Sequence, residues 1–142
     1  MLTAQREIHR ILCETNSRQG WLIPTYVVDY ECKILAEQLT RNPWQPEPSY
    51  AERYLQITTA SEALALGNIC WFTRAVFPEL GRSRGITASY YVDLGQSCYS
   101  RVLEQSQIPV VAVMRDHFEF CAEAVLTALR YNTEFRSMWD LD

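Results

Sequence analysis

Residues 110–129 read VVAVMRDHFEFCAEAVLTAL. Val110, Met114, His117 with Phe118, Cys121, Val125, and Ala128 with Leu129 recur at i, i+4 and i+7. That spacing stacks side chains on one face of an α-helix. No glycine or proline interrupts the run, so it predicts a single long amphipathic helix of about five turns. A helix this apolar on one side needs other helices to cover it, and the rest of the chain supplies the same pattern.

Working back from this stretch, Tyr91, Leu94, Cys98 and Val102 form the stripe of another helix, capped at Thr87 or Ser89 after a turn at Gly81 to Gly85. Ser49 and Glu52 have capping-box spacing. They open a long helix to Phe77 with the stripe Tyr54, Ile57, Ser61, Leu64, then Leu66, Ile69, Thr73, Val76, closed by Pro78. Asn42 to Pro48 places three prolines around Trp44 and reads as a loop. Pro24 suits the first turn of a helix to about Thr40 with Val28, Cys32, Leu35 and Leu39 inward, although Trp21 to Val28 also reads as a short buried strand. Thr3 caps a first helix to about Thr15, with Ile8, Ile11, Leu12 and Thr15 on one face and Asn16 to Gly20 as its break. The expectation is an all-α fold: a single-domain antiparallel helical bundle of about five helices over residues 1–142.

The 142 residues are 48% hydrophobic and 21% charged, a balance suited to one globular domain with its own core. Thirteen Lys and Arg against seventeen Asp and Glu give a net charge of −4. This is opposite to the basic footprint of a nucleic-acid binder, so a nucleic-acid-associated factor ranks third among the functions considered. The only lysine is Lys33, so cationic contacts fall to arginine and its planar pairing geometry. The first residues, MLTAQREIHR, contain no apolar signal-peptide core, and no run is apolar enough to span a membrane. The expected location is cytoplasmic. Cys13, Cys32, Cys70, Cys98 and Cys121 are odd in number and scattered, which argues for buried thiols over a disulfide framework.

Leu66-Gly67-Asn68, Phe77-Pro78-Glu79 and Tyr90-Tyr91-Val92-Asp93-Leu94-Gly95 with Tyr99 resemble the pattern of small uncharacterised bacterial all-helical proteins. Those carry Leu-Gly-Asp, Phe-Pro-Glu and Tyr-Tyr-x-x-x-Gly-x-x-x-Tyr, with Asn68 here in place of the Asp. The resemblance implies a helical fold and no particular activity. Read physically, Gly67 and Gly95 each cost about 1 kcal/mol relative to alanine inside a helix, which predicts that their helices cross closely there.

Four constellations carry possible chemistry. His9 with Cys13 and His117 with Cys121 are both His-x-x-x-Cys, so on helices each pair offers two ligands to a His2Cys2 zinc site, or simply packs in the core. Arg82 and Arg84, with Tyr90 and Tyr91 after them, suit a small anion in an interhelical cleft, or are a solvated turn. Asp116, Glu119 and Glu123 share a helical face, either as an acid–base or metal group or as a solvated surface. Trp21, Trp44 and Trp139 lie in or beside loops and termini, with Phe135 in the tail, where large rings cap the core or dock a partner.

Gly-x-Ser-x-Gly, Gly-x-Gly-x-x-Gly, Walker and His-Glu-x-x-His motifs are all missing, so no catalytic residue is assigned. The leading expectation is a non-catalytic interaction module, an adaptor or accessory subunit of a bacterial protein complex, binding a protein partner or forming a homo-oligomer. The alternative is an anionic-ligand-binding protein or cryptic enzyme at Arg82 and Arg84.

Overall fold

A computed structural model of the chain describes residues 2–39 and 49–141. Every regular element among them is helical: α1 (Leu2–Gln19), α2 (Thr25–Glu37), α3 (Tyr50–Leu55), α4 (Ala60–Val76), a 3-10 turn (Arg82–Arg84), α5 (Ala88–Gln105), α6 (Pro109–Asp116), α7 (Phe118–Tyr131) and α8 (Thr133–Ser137). The all-α expectation is therefore met. No helix among the described residues is long and apolar enough to cross a membrane. The chain divides into two compact units, one of Met1–Pro43 with Glu123–Asp142 and one of Trp44–Ala122.

In the first unit α1 packs on α2. The predicted α1 stripe is the buried one: Ile8, Ile11, Leu12 and Thr15 are at most 7% exposed. Thr15 tolerates this because its hydroxyl donates to the Ile11 carbonyl at 2.8 Å. The helix does not stop at Thr15 but continues to Gln19, so Thr3 lies inside its first turn. Its end is set by Gly20, whose φ of 72° lets the Trp21 N–H turn back to the Asn16 carbonyl at 2.9 Å. Residues 21–24 are irregular and carry no strand. Pro24 is the N-cap of α2, and its carbonyl accepts from the N–H groups of Val27 and Val28. In α8 the Asn132 side chain caps by accepting from Phe135 N–H at 2.8 Å, and the Arg136 guanidinium donates to the Leu129 and Arg130 carbonyls.

The second unit is built on α4 against α5, with α6 packed on α5 and α3 against both α4 and α5. Its core includes Leu66, Cys70, Trp71 and Phe72 from α4, Tyr91, Cys98, Tyr99 and Val102 from α5, and Val111, Met114 and Phe118. The two helical glycines mark the α4/α5 crossing as expected. A Cβ on Gly67 would lie 2.8 Å from the Tyr99 ring, and one on Gly95 would overlap Phe118 and sit 3.2 Å from Cys70 Cβ. The Tyr99 hydroxyl donates to Asn68 Oδ1 at 2.8 Å, which pins the ring that Gly67 admits.

Two of the predicted long helices are broken. Ser49 does cap α3, accepting from the Glu52 N–H at 3.2 Å, but that helix ends at Leu55. The complete capping box belongs to Thr59 and Glu62, which start α4. Glu62 takes the N–H groups of both Thr58 and Thr59, at 3.0 and 3.1 Å, so the backbone donors freed by the break are satisfied locally. Arg101 of α5 donates to the Ile57 carbonyl at 3.2 Å and lies over the Tyr54 ring at 5.3 Å, holding the break from the other side.

The run 110–129 breaks at His117, whose φ of −120° and ψ of 32° leave the helical region. The Arg115 carbonyl at this end accepts from the Gln96 side chain of α5 at 2.9 Å. Phe118, fully buried, turns into the space over Gly95 with its ring 5.9 Å from that of Tyr99. The break therefore places one aromatic ring at the α4/α5 crossing, which a straight helix was not required to do.

Candidate functional site

The turn between α1 and α2 carries an exposed leucine, Leu22, among apolar neighbours. Gly20 fixes how the chain leaves α1, and Pro24 with its fixed φ fixes how it enters α2. Between them, Trp21-Leu22-Ile23-Pro24 is tied at one end by the Trp21 to Asn16 hydrogen bond. Leu22 is 96% exposed and Tyr26 at the start of α2 is 50% exposed, while Trp21 and Ile23 are half-buried. Single exposed leucines are ordinary on protein surfaces. Here the exposed leucine stands in a constrained turn between two half-buried apolar side chains, Trp21 and Ile23. Sequence reading placed Trp21 beside a loop as a core cap or contact ring but did not single out Leu22; the available signal was four apolar residues placed between a glycine and the start of a helix.

The anion cleft expected at Arg82, Arg84, Tyr90 and Tyr91 takes a different form. Gly81 and Gly85, both at φ 82°, bracket the 3-10 turn and leave Arg82, Ser83 and Arg84 exposed. Arg82 is ion-paired with Glu79. Tyr91 is buried, and its hydroxyl donates to the Leu80 carbonyl at 2.6 Å. The half-buried Tyr90 hydroxyl accepts from the Ala51 N–H at 2.9 Å. The two rings meet edge to face at 5.3 Å, and Tyr50 packs edge-on against Tyr91 at 5.8 Å. Burial, with Tyr50 and Tyr90 beside it, pushes the Tyr91 phenol up to about 12, so it stays neutral at physiological pH. The arginines and tyrosines thus divide: Arg82 and Arg84 face solvent, and the tyrosines join α3, α5 and the turn.

In the tail the core-capping alternative is the one the structure shows. Phe135 is fully buried and Trp139 is 8% exposed, with their rings edge to face at 5.2 Å. They are core side chains of the first unit rather than exposed anchors, because Asn132 and Arg136 fold α8 back onto the end of α7. Trp44 lies outside the described residues.

The paired His-x-x-x-Cys arrangement loses its helical symmetry. His117 sits at the α6/α7 break and is exposed, whereas Cys121 is buried, so this pair does not share one helical face. His9 and Cys13 do share a face of α1, with Cys13 Sγ 3.7 Å from Nδ1 and 3.8 Å from Nε2 of His9. The His9 Nε2 is taken by Asp29 of α2, 3.0 Å away. The sulfur, nearly equidistant from both ring nitrogens, lies over the ring or its Cε1 edge and not on a nitrogen lone pair, so thiol and imidazole do not converge on a common point. Among the described residues, no group of three or more His, Cys, Asp or Glu side chains is placed to hold a metal ion. On the acidic face, Asp116 pairs with Arg115 at 2.8 Å, and Glu119 pairs at 3.2 Å with Arg74, a guanidinium almost wholly buried in the second unit.

All five cysteines are free, and four are buried. Burial pushes the thiols of Cys32 and Cys98 up to about 12 and about 11, and that of Cys70 well above its ordinary range. These three are packing groups, not thiolates. No protein-family model, curated protein or solved structure matches this chain.

Proposed function

We propose that this protein is a non-catalytic helical interaction module, an adaptor or accessory subunit, that grips a protein partner through the tip of its α1/α2 hairpin. The observation that carries this reading is Leu22, 96% exposed in a turn constrained by Gly20 on one side and Pro24 on the other. Solvent pays no return on exposing that side chain, while a partner covering it gains about 25 cal/mol for every Å² of apolar surface removed from water. Tyr26 adds an amphipathic ring of the kind enriched at interfaces. The same reading accounts for the tyrosines and cysteines whose polar atoms are hydrogen-bonded or buried, since a docking module needs a rigid scaffold behind its contact residues. Five unpaired cysteines support placing the module in the reducing cytoplasm.

The test is native mass spectrometry of untagged protein isolated gently from the organism that makes it, wild type beside Leu22→Asp. The module reading expects a retained protein partner or second copy in the wild type, lost in the variant at unchanged helical content. A bare monomer in both, or a complex indifferent to the substitution, overturns it.

A further inference from the structure

We infer that the outer face of α5 is a binding site for a free basic α-amino acid of the lysine type, with Arg101 taking its carboxylate and Glu104 and Asp93 taking its two ammonium groups. The inference is independent of the docking reading, since every residue it uses lies in the second unit. A groove of about 430 Å³ is floored by α5 from Asp93 to Glu104 and walled by Tyr54 of α3, a size suited to a small ligand. Arg101 in this groove is half-buried. Its Nη2 donates to the Ile57 carbonyl at 3.2 Å, and its guanidinium carbon lies 5.3 Å from the centre of the Tyr54 ring. Both partners are uncharged. Arg74, Arg82 and Arg115 of the same unit are each ion-paired, but among the described residues no carboxylate stands within ion-pair distance of Arg101. A guanidinium fixed by a carbonyl and a ring, with the rest of its fork uncommitted, is a preorganised receptor for a carboxylate.

The rest of the groove selects the ligand. Asp93 and Glu104 line it together with Arg101, and two carboxylates against one guanidinium leave it net negative, so a purely anionic ligand is repelled. Glu104 lies one turn after Arg101 on the same helical face, so a carbon bearing both a carboxylate and an ammonium meets the two side chains together. Asp93 lies eight residues before Arg101, roughly 12 Å along the helix. Long helical side chains lean toward the N-terminus, so the arginine shortens that gap to one that a lysine side chain crosses, bringing its second ammonium to Asp93. Between them the Ser97 hydroxyl donates to the Asp93 carbonyl at 2.9 Å, so its proton is spent and it presents lone pairs to a cation. Gln96 is fixed by its bond to the Arg115 carbonyl at 2.9 Å, so this part of the floor is set before a ligand arrives. One carboxylate and two ammonium groups match the groove charge for charge.

The full chain, isotope-labelled, is titrated with L-lysine at fixed ionic strength while its backbone amides are followed by NMR. Saturable shifts are expected at Ser97, Ser100 and Arg101 at millimolar ligand or below. L-norleucine lacks the side-chain ammonium, Nα-acetyl-L-lysine the α-ammonium, and L-lysinamide the carboxylate. The first two lose pairs to exposed carboxylates and should bind about two- to fivefold more weakly. Lysinamide loses the half-buried, charge-assisted contact with Arg101 and should bind about tenfold more weakly. Glu104→Gln, at an exposed position, should weaken L-lysine by about two- to fivefold and leave Nα-acetyl-L-lysine unchanged. A general loss of negative charge would weaken both ligands. No saturable shift at these amides, norleucine binding as tightly as lysine, or Glu104→Gln weakening lysine and its Nα-acetyl form equally, each overturns the site.

Discussion

Replacing Gly95 by alanine tests whether the α4/α5 crossing is as tight as its geometry indicates. The new Cβ would fall well inside 3.0 Å of two atoms of the Phe118 ring, a separation that real Cβ atoms essentially never show, and 3.2 Å from Cys70 Cβ. Phe118 is fully buried against Tyr99, and Tyr99 is anchored through its hydroxyl to Asn68, so the ring has no open side to retreat into. Overpacking of this kind costs about 1 to 3 kcal/mol, and overlap with two ring atoms belongs at the upper end. Against it stands a gain of about 1 kcal/mol from replacing a mid-helix glycine by alanine. The net expectation is a loss of about 2 kcal/mol, read as a lower urea midpoint at unchanged slope. Gly67→Ala meets a milder contact, 2.8 Å to the Tyr99 ring, and should lose less. A Gly95→Ala variant as stable as the wild type, or more stable, would refute the close crossing and leave propensity as the only effect of these glycines.

Further outcomes follow from the same packing. Phe135→Ala removes a fully buried ring and should cost about 3 to 5 kcal/mol in denaturant unfolding, with Leu22→Ser as the contrasting exposed change at no more than about 0.5 kcal/mol. Thr59→Ala should cost about 1 kcal/mol by opening the α4 capping box, measurable as a drop in thermal midpoint. The Glu62 carboxyl is held below its ordinary value of 4.5, first by the Thr58 N–H and then by the Thr58 and Thr59 hydroxyls. Its contribution is therefore present above 4.5 and lost as pH falls through the lowered folded value, so the stability gap between wild type and Glu62→Gln should close on acidification. Native protein treated with a bulky alkylating reagent should react at Cys13 before the other four thiols, which are buried, as peptide mapping would show.

Local periodicity determined the class of this protein. Ile8, Ile11, Leu12 and Thr15 on α1, and Cys121, Val125, Ala128 and Leu129 on α7, are buried where the i, i+3, i+4 rhythm put them, because helical spacing alone decides which side chains share a face. The costly glycines of α4 and α5 announced their crossing for an equally local reason. The breaks were less legible. Thr59 with Glu62 is a capping box as plain as Ser49 with Glu52, yet an apolar stripe drawn across Tyr54 to Leu64 concealed it, and Ser61 on that stripe is exposed.

At His117 nothing in the neighbouring sequence breaks a helix. At the break Gln96 of α5 takes the Arg115 carbonyl and Gly95 leaves room for the Phe118 ring, two contacts made by residues about twenty positions away. The sites divide in the same way. Composition and spacing could name His9 with Cys13 as neighbours on one face, but Asp29 joins them only when α2 lies against α1. Whether an aromatic or leucine is core or contact surface depends on what other elements cover it, which is why Phe135 and Trp139 became core and Leu22 became the exposed tip. Sequence determined which faces are apolar; only tertiary packing decided which of them find cover, because burial is a property of pairs of elements and periodicity is a property of one.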